Sequence, residues 1–155
     1  VLKYIFISLL VLLVKAPLQA QDAFYIYIDN HNHPGDQFKL DNFETYQNKK
    51  PVKTTLYQIN FYPKPYAIDG HRSFSFDFSE LEGQSQILKE SDLSQYQIHT
   101  VKELEDAYRE GYNYQKLIGL IMDKSQEQKL YMLELINPSK KLYKMSKVVI
   151  VDGSR

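Results

Sequence analysis

Apolar and polar residues alternate along much of this chain with the two-residue period of a β-strand. Phe24, Ile26 and Ile28 fall on one side of the first such stretch, and Tyr25 and Tyr27 on the other. Thr54–Tyr62 repeats the pattern with Tyr57, Ile59 and Phe61 on one face. Ser73–Phe78 repeats it with Phe74, Phe76 and Phe78. Such alternation in β-branched and aromatic residues predicts half-buried strands. Phe38–Tyr46 reads as a short strand followed by a turn, because Phe38, Leu40 and Phe43 keep the period only briefly. Polar or turn-forming runs punctuate the strands at 29–36, at Asn48–Pro51, after Pro63 and at Glu80–Glu90. Asp69-Gly70 has the composition of a type I′ turn, between a short apolar stretch at 66–68 and the strand at 73–78.

The period changes once. Val101, Leu104, Ala107, Tyr108 and Gly111 recur at helical spacing behind Thr100 and Glu103, the two members of a capping box. A helix over about 101–112 is predicted. Its carboxylates, Glu103, Glu105, Asp106 and Glu110, fall on the outer face, and negative charge early in a helix suits its dipole. The two-residue period then returns over Lys116–Met122, Lys129–Ile136 and Leu142–Val151, joined by short polar turns. Short connections favour antiparallel neighbours, so these three read as a C-terminal meander. The expected fold is α+β: an antiparallel sheet ending in a three-strand meander, with one main helix packed on one face.

One apolar stretch belongs to neither pattern. Lys3 precedes a run from Tyr4 to Val14, and Lys15, Pro17 and small or polar residues through Ala20 follow. Basic start, apolar middle and small-residue exit are the parts of a secretory signal. The run is shorter than the roughly 20 residues a membrane-spanning helix needs. Residues 1–20 are therefore expected to form a separate signal helix, cleaved after Ala20, and residues 21–155 one small domain. On this reading no membrane span remains after cleavage, and the product is exported to a periplasmic or extracellular space.

Composition narrows the chemistry. The chain has no cysteine, which excludes disulfides, thiolate metal sites and a lipid-modified exit cysteine. Basic and acidic residues balance at 19 each, and losing Lys3 and Lys15 with the signal leaves a slight acidic excess. Such a chain has no electrostatic reason to bind nucleic acid. The cluster Lys140, Lys141, Lys144 and Lys147 reads as a solvated strand-and-turn face. Tyrosine is abundant at 13, with 8 phenylalanines and no tryptophan. Aromatic burial must supply much of the stability that disulfides cannot.

Candidate sites are few. Asp29, His31, His33 and Asp36 gather imidazole and carboxylate groups after a strand end, a donor set that suits zinc or a similar cation. Their spacing matches no established metal pattern, and Asn and Asp in such a run also serve as turn residues. Asp69, His71 and Arg72 form a second polar knot without a serine or cysteine nucleophile beside it. His99 stands at the helix boundary. No phosphate-cradling glycine loop is present. Tyr25, Tyr27, Tyr57 and Tyr143 are candidates for an exposed aromatic sheet face that binds a partner; the competing reading is a second buried layer under a helix or loop.

The function expected from these features is that of an exported, non-catalytic binding or accessory protein of the bacterial envelope or extracellular space. It uses no cofactor and meets a protein or envelope component through the aromatic face or an edge strand. The alternatives are a metal-binding protein or metal-assisted hydrolase centred on Asp29, His31, His33 and Asp36, and a structural subunit of an envelope assembly.

Overall fold

The computed structural model describes residues 22–29, 38–61, 74–109 and 114–151. Within them the chain is mostly sheet with few helices, an α+β arrangement. Residues 1–20, expected as a signal helix, lie outside the described residues, as do His31, His33 and Asp36 of the polar run and the Asp69–Arg72 knot.

Seven strands form one mixed sheet. They are β1 (Phe24–Ile28), β2 (Phe38–Gln47), β3 (Lys50–Phe61), β4 (Phe74–Lys89), β5 (Ile98–Thr100), β6 (Leu130–Asn137) and β7 (Leu142–Ile150), in the spatial order β2-β3-β4-β7-β6-β1-β5. The expectation of an antiparallel sheet holds from β2 to β6 and fails at β1. That strand pairs parallel to both β6 and β5, with Ile28 opposite Glu134 and Tyr25 opposite Ile98. Alternation reports which faces a strand has; it carries nothing about the direction of a partner met a hundred residues later.

Two helices, α1 (Val101–Arg109) and α2 (Tyr114–Gln126), cover one face. The capping box forms as its spacing predicts. The Glu103 N–H donates to Thr100 Oγ1 at 3.1 Å, and the Thr100 N–H donates to Glu103 Oε2 at 2.9 Å. Val101 and Leu104 are buried, Tyr108 is half-buried and Ala107 is exposed. Glu105, expected on the outer face, is buried.

The segment Lys116–Met122, expected as the first meander strand, lies inside α2, so the meander is a two-strand hairpin of β6 and β7. A short apolar run cannot be told from a buried helical segment by periodicity alone. The decisive spacing is Leu117, Ile121 and Ser125, each four residues apart and each buried against the sheet. Ser125 Oγ accepts the Ile150 N–H at 2.8 Å and so pins α2 to the end of β7. The helix closes in a Schellman motif. Lys129 N–H donates to the Lys124 carbonyl at 2.8 Å and Gln128 N–H to the Ser125 carbonyl at 3.0 Å, with Gln128 left-handed at φ 55°.

Three strands are longer than their sequence patterns suggest. β2 runs unbroken over Phe38–Gln47, where a short strand and a turn are expected, because continuous pairing with β3 carries it through. The expected break at Asn48–Pro51 is a two-residue hairpin turn, Asn48 and Lys49 taking φ 51° and 64°, and β3 resumes at Lys50. Positive φ at both central residues is the type I′ geometry that matches strand twist. The expected turn region Glu80–Glu90 is mostly β4 itself. β4 runs on to Lys89 through an irregularity in which it advances from Glu80 to Ser85 while β7 advances only from Val148 to Ser146. Gly83, at φ 70°, lies within that irregularity and supplies a conformation that side chains rarely adopt.

The main core lies between sheet and helices. Ile26, Ile28, Ile59, Phe61, Phe78, Leu117, Ile121, Leu130, Met132 and Val148 are fully or almost fully buried there. Each such side chain contributes roughly 1.5–3 kcal/mol by leaving water. Phe61 stacks on Phe74 at 5.0 Å, which seals the far end of β3 and β4.

Two substitutions test the helix ends. Thr100→Ala removes the cap hydroxyl and is expected to cost about 1 kcal/mol. Gln128→Gly relieves the left-handed residue and is expected to stabilise by about 1 kcal/mol. Urea unfolding reads both as opposite shifts of the midpoint with an unchanged slope.

Candidate functional site: a tyrosine layer on the helix-free face

Every strand has two faces, and β1 shows both chemistries. Its aliphatic residues turn to the helices, and Tyr25 and Tyr27 turn to the opposite face. There a second cluster forms from Tyr25, Leu88, Leu133 and Met145, with Tyr27, Leu93, Tyr96, Ile98, Tyr131 and Tyr143 packed around it. Tyr131 joins because it is the direct cross-strand partner of Tyr25, and their rings stack at 5.0 Å with a 21° interplanar angle. Tyr27 meets Tyr143 at 6.2 Å, their rings inclined at 53°.

Among the described residues this face carries no helix longer than the 3-10 turn Glu90–Gln95 that leaves β4. The turn is well held. Asp92 Oδ2 accepts the Lys89 N–H at 2.8 Å, Gln95 Nε2 donates to the Asp92 carbonyl at 2.9 Å, and Lys141 pairs with Glu90 at 2.7 Å. It brings Leu93 and Tyr96 over the sheet, and Tyr96 covers Tyr25 at 4.9 Å between ring centroids. The result is graded. Tyr25 is buried beneath the turn, while Tyr27, Tyr131 and Tyr143 remain half-buried beyond it.

The polar ends of this layer are electrostatically tuned. Burial pushes the Tyr25 phenol above its ordinary pKa, helped by Tyr131 and Tyr96. Tyr27 is pushed up to about 12, first by burial, then by the negative charge of Asp29 and by Tyr143. Lys147 places Nζ 5.6 Å from the centre of the Tyr131 ring, within cation–π range.

The four tyrosines singled out from the sequence divide between the two faces. Tyr25, Tyr27 and Tyr143 come together on the helix-free face, with Tyr25 taken into a second buried layer of the kind weighed against exposure. Tyr57 does not join them. It is fully buried on the helix side, where it pairs with Phe78 across β3 and β4. Its phenol is held well above the ordinary range, chiefly by burial and then by the charge of Glu134. The reason for this correction is parity: Tyr57 shares its face with Ile59 and Phe61, and those residues define the main core.

Sequence reasoning missed Tyr96, Tyr131 and Lys147. Tyr131 was accessible through its alternation with Leu133 and Leu135 in β6. Tyr96 sits in the polar stretch Ser91–Gln97, where no periodic signal exists.

The basic cluster at 140–147 is not one solvated patch. Lys144 turns to the helix side and pairs with the half-buried Glu80 at 2.8 Å, Lys141 pairs with Glu90, and Lys147 lies over Tyr131. His99 stacks on Phe24 at 5.0 Å. Asp29 is half-buried just past β1, beside Tyr27. Among the described residues no group of three or more His, Cys, Asp or Glu converges to hold a metal ion. No described helix is long and apolar enough to cross a membrane.

Comparison with protein families, with curated proteins and with solved structures gives no match for this chain.

The raised phenol pKa values make stability fall in alkali. In the unfolded chain these tyrosines ionise near pH 10, while folded Tyr27 keeps its proton to about pH 12. Between those values the native state binds more protons than the unfolded state, so stability drops as pH rises. Spectrophotometric phenolate titration checks this, and Asp29→Asn is expected to lower the Tyr27 midpoint. An unchanged midpoint would remove the assigned role of Asp29.

Proposed function

We propose that this chain is an exported, non-catalytic binding or accessory protein whose partner docks on the tyrosine layer. The observation that carries this reading is the half-exposure of Tyr27, Tyr131 and Tyr143 beyond the 3-10 turn, on the sheet face that α1 and α2 leave uncovered. Tyrosine presents a large rigid apolar ring and a polar tip at low conformational cost, which is why it is enriched where proteins meet. Lys147 adds a cation at one border and Asp29 an anion at another. A partner that buries the rings would therefore also meet a fixed pattern of charge, which sets orientation more than affinity. The partner class is a protein or an exposed envelope component.

The address of the protein belongs to the same proposal. The order of Lys3, the apolar run Tyr4–Val14 and Ala20 supports cleavage of residues 1–20, leaving a single domain from Gln21 in a periplasmic or extracellular space. A metal-assisted role for Asp29, His31, His33 and Asp36 stays the second reading, supported by the donor types alone.

Both parts are open to direct test. Expression of the whole chain in a secreting bacterium is expected to yield an exported product whose first residue is Gln21; retention of residues 1–20 in a cytoplasmic product sinks the export reading. Photo-crosslinking amino acids at positions 27 and 143 are expected to give the same discrete adduct in living cells, with none from position 122 on the outer side of α2. Indistinguishable labelling from all three positions would remove the tyrosine layer as the docking surface. Elemental analysis showing one bound metal per chain would promote the second reading.

A further inference from the structure

The tyrosines of the helix-free face meet in pairs of different geometry. Tyr25 and Tyr131 stack nearly face to face, at 5.0 Å and 21°. Tyr25 and Tyr96 are inclined at 51°, with ring centres 4.9 Å apart. Tyr27 and Tyr143 are inclined at 53°, with ring centres 6.2 Å apart. This last pair comes from strands that are not neighbours. β6 lies between β1 and β7, with Leu133 opposite Tyr27 and Leu135 opposite Tyr143, so the two rings meet over it. Both are half-buried, with part of each residue open to water.

Paired phenols share one reaction that a single phenol lacks. When each loses an electron and a proton, the two radicals combine through the ring carbons beside the hydroxyls. The new bond joins ring edges, whereas stacked rings such as Tyr25 and Tyr131 offer each other their faces. Charge separates the tyrosines further. Electron loss leaves positive charge on a ring, which a nearby anion favours and a nearby cation opposes. Asp29 is the anion beside Tyr27, where its charge adds to burial in pushing the phenol pKa up to about 12. Lys147 is the cation, with Nζ 5.6 Å from the centre of the Tyr131 ring. An oxidised phenol must also release its proton. Tyr27 and Tyr143 are half-buried, whereas Tyr25 is only 9 % exposed and lies beneath Tyr96. Cysteine and tryptophan, which compete with tyrosine for one-electron oxidation, are absent from the chain.

We propose that Tyr27 and Tyr143 form an oxidative cross-linking site, coupled to dityrosine by a peroxide-consuming one-electron oxidant such as a haem peroxidase. Each phenol gives up one electron and one proton, and hydrogen peroxide takes up both pairs and leaves as two waters. After tautomerisation restores the hydroxyls, one C–H bond on each ring has been replaced by a single C–C bond between them. The product is therefore lighter by two hydrogen atoms. The link ties β1, through which both hydrophobic layers pass, to β7. It closes a loop over most of the chain and restricts the unfolded state as a long disulfide loop does. A cysteine-free chain thereby gains a covalent tie between its first strand and its last. The inference rests on ring geometry and neighbouring charge, and on neither docking nor export.

The test treats the purified full chain with hydrogen peroxide and a haem peroxidase, dilute enough that chains rarely meet. The expected product is monomeric, lighter by two hydrogen atoms and fluorescent as dityrosine, and mass spectrometry of its fragments joins Tyr27 to Tyr143. Tyr27→Phe and Tyr143→Phe keep the rings and remove only the hydroxyls. Each is expected to lower the yield at least tenfold while thermal unfolding stays cooperative. Tyr96→Phe, which removes the other inclined pair, is expected to leave the yield unchanged. Asp29→Asn is expected to lower it at least threefold. The linked chain is expected to unfold at a higher urea concentration than the unreacted one. Absence of a monomeric product, a link that persists in either the Tyr27 or the Tyr143 variant, or a link that joins Tyr25 to Tyr96 overturns the proposal. An unchanged yield from Asp29→Asn overturns it too, because nothing would then single out Tyr27.

Discussion

The fold depends on the insertion of β1 between β6 and β5. β1 is a short strand whose aliphatic residues face the helices and whose tyrosines face away. Both hydrophobic layers pass through it, so neither is complete without it. Its pairing is also non-local: Phe24 lies opposite Leu130 and Tyr25 opposite Ile98, across most of the chain. The junction is secured outside the ladder as well. Phe24 donates its N–H to the Lys129 carbonyl at 2.8 Å, and Asp22 pairs with Lys129 and Lys124. The hydrogen bond from Lys129 is the first cause of the lowered Asp22 pKa. Those ion pairs are exposed and add little energy, but they fix where β1 enters the sheet.

Much of this was legible in the sequence, and the boundary of legibility is physical. Local features were readable at the level of atoms. Thr100 and Glu103 cap α1 with the reciprocal hydrogen bonds their spacing implies, and Asn137 Oδ1 accepts the Lys140 N–H in the turn expected between β6 and β7. Strand faces were readable too, including the division of β1 into an aliphatic and a tyrosine side. What alternation does not encode is partnership. The parallel pairing of β1 and the three-residue β5 both depend on which strands lie alongside. Lys116–Met122 marks a different limit: a short apolar run suits either period, and the contact of Ser125 with β7 decides for helix.

The continuation of β4 past Glu80 explains why the site was partly hidden. A polar stretch rich in Gln, Ser and Glu reads as a turn because its residues are exposed on both faces, and in β4 they are. The strand persists through backbone pairing with β7, where sequence period has no say. From its end hangs the 3-10 turn that places Leu93 and Tyr96 on the second face. The tyrosine layer therefore has a local part, written in β1, β6 and β7, and a non-local part, which depends on where β4 stops.

A sheet with helices on one side must solve the other side. An aliphatic face left open would invite aggregation, and a fully polar one would forgo burial that a cysteine-free chain needs. Tyrosine suits both demands, since its ring packs against Leu133 and Met145 and its side chain also carries a polar hydroxyl. This explains why the layer is stable without a partner: Tyr25 is sealed, and the half-exposed rings are already stacked or crossed with neighbours. A surface that does not require its partner to fold can bind and release it as an equilibrium. Because the rings are held by their neighbours before contact, association need not pay again to order them. The same packing that stabilises the second face thus orders its rings in advance of the docking proposed for it.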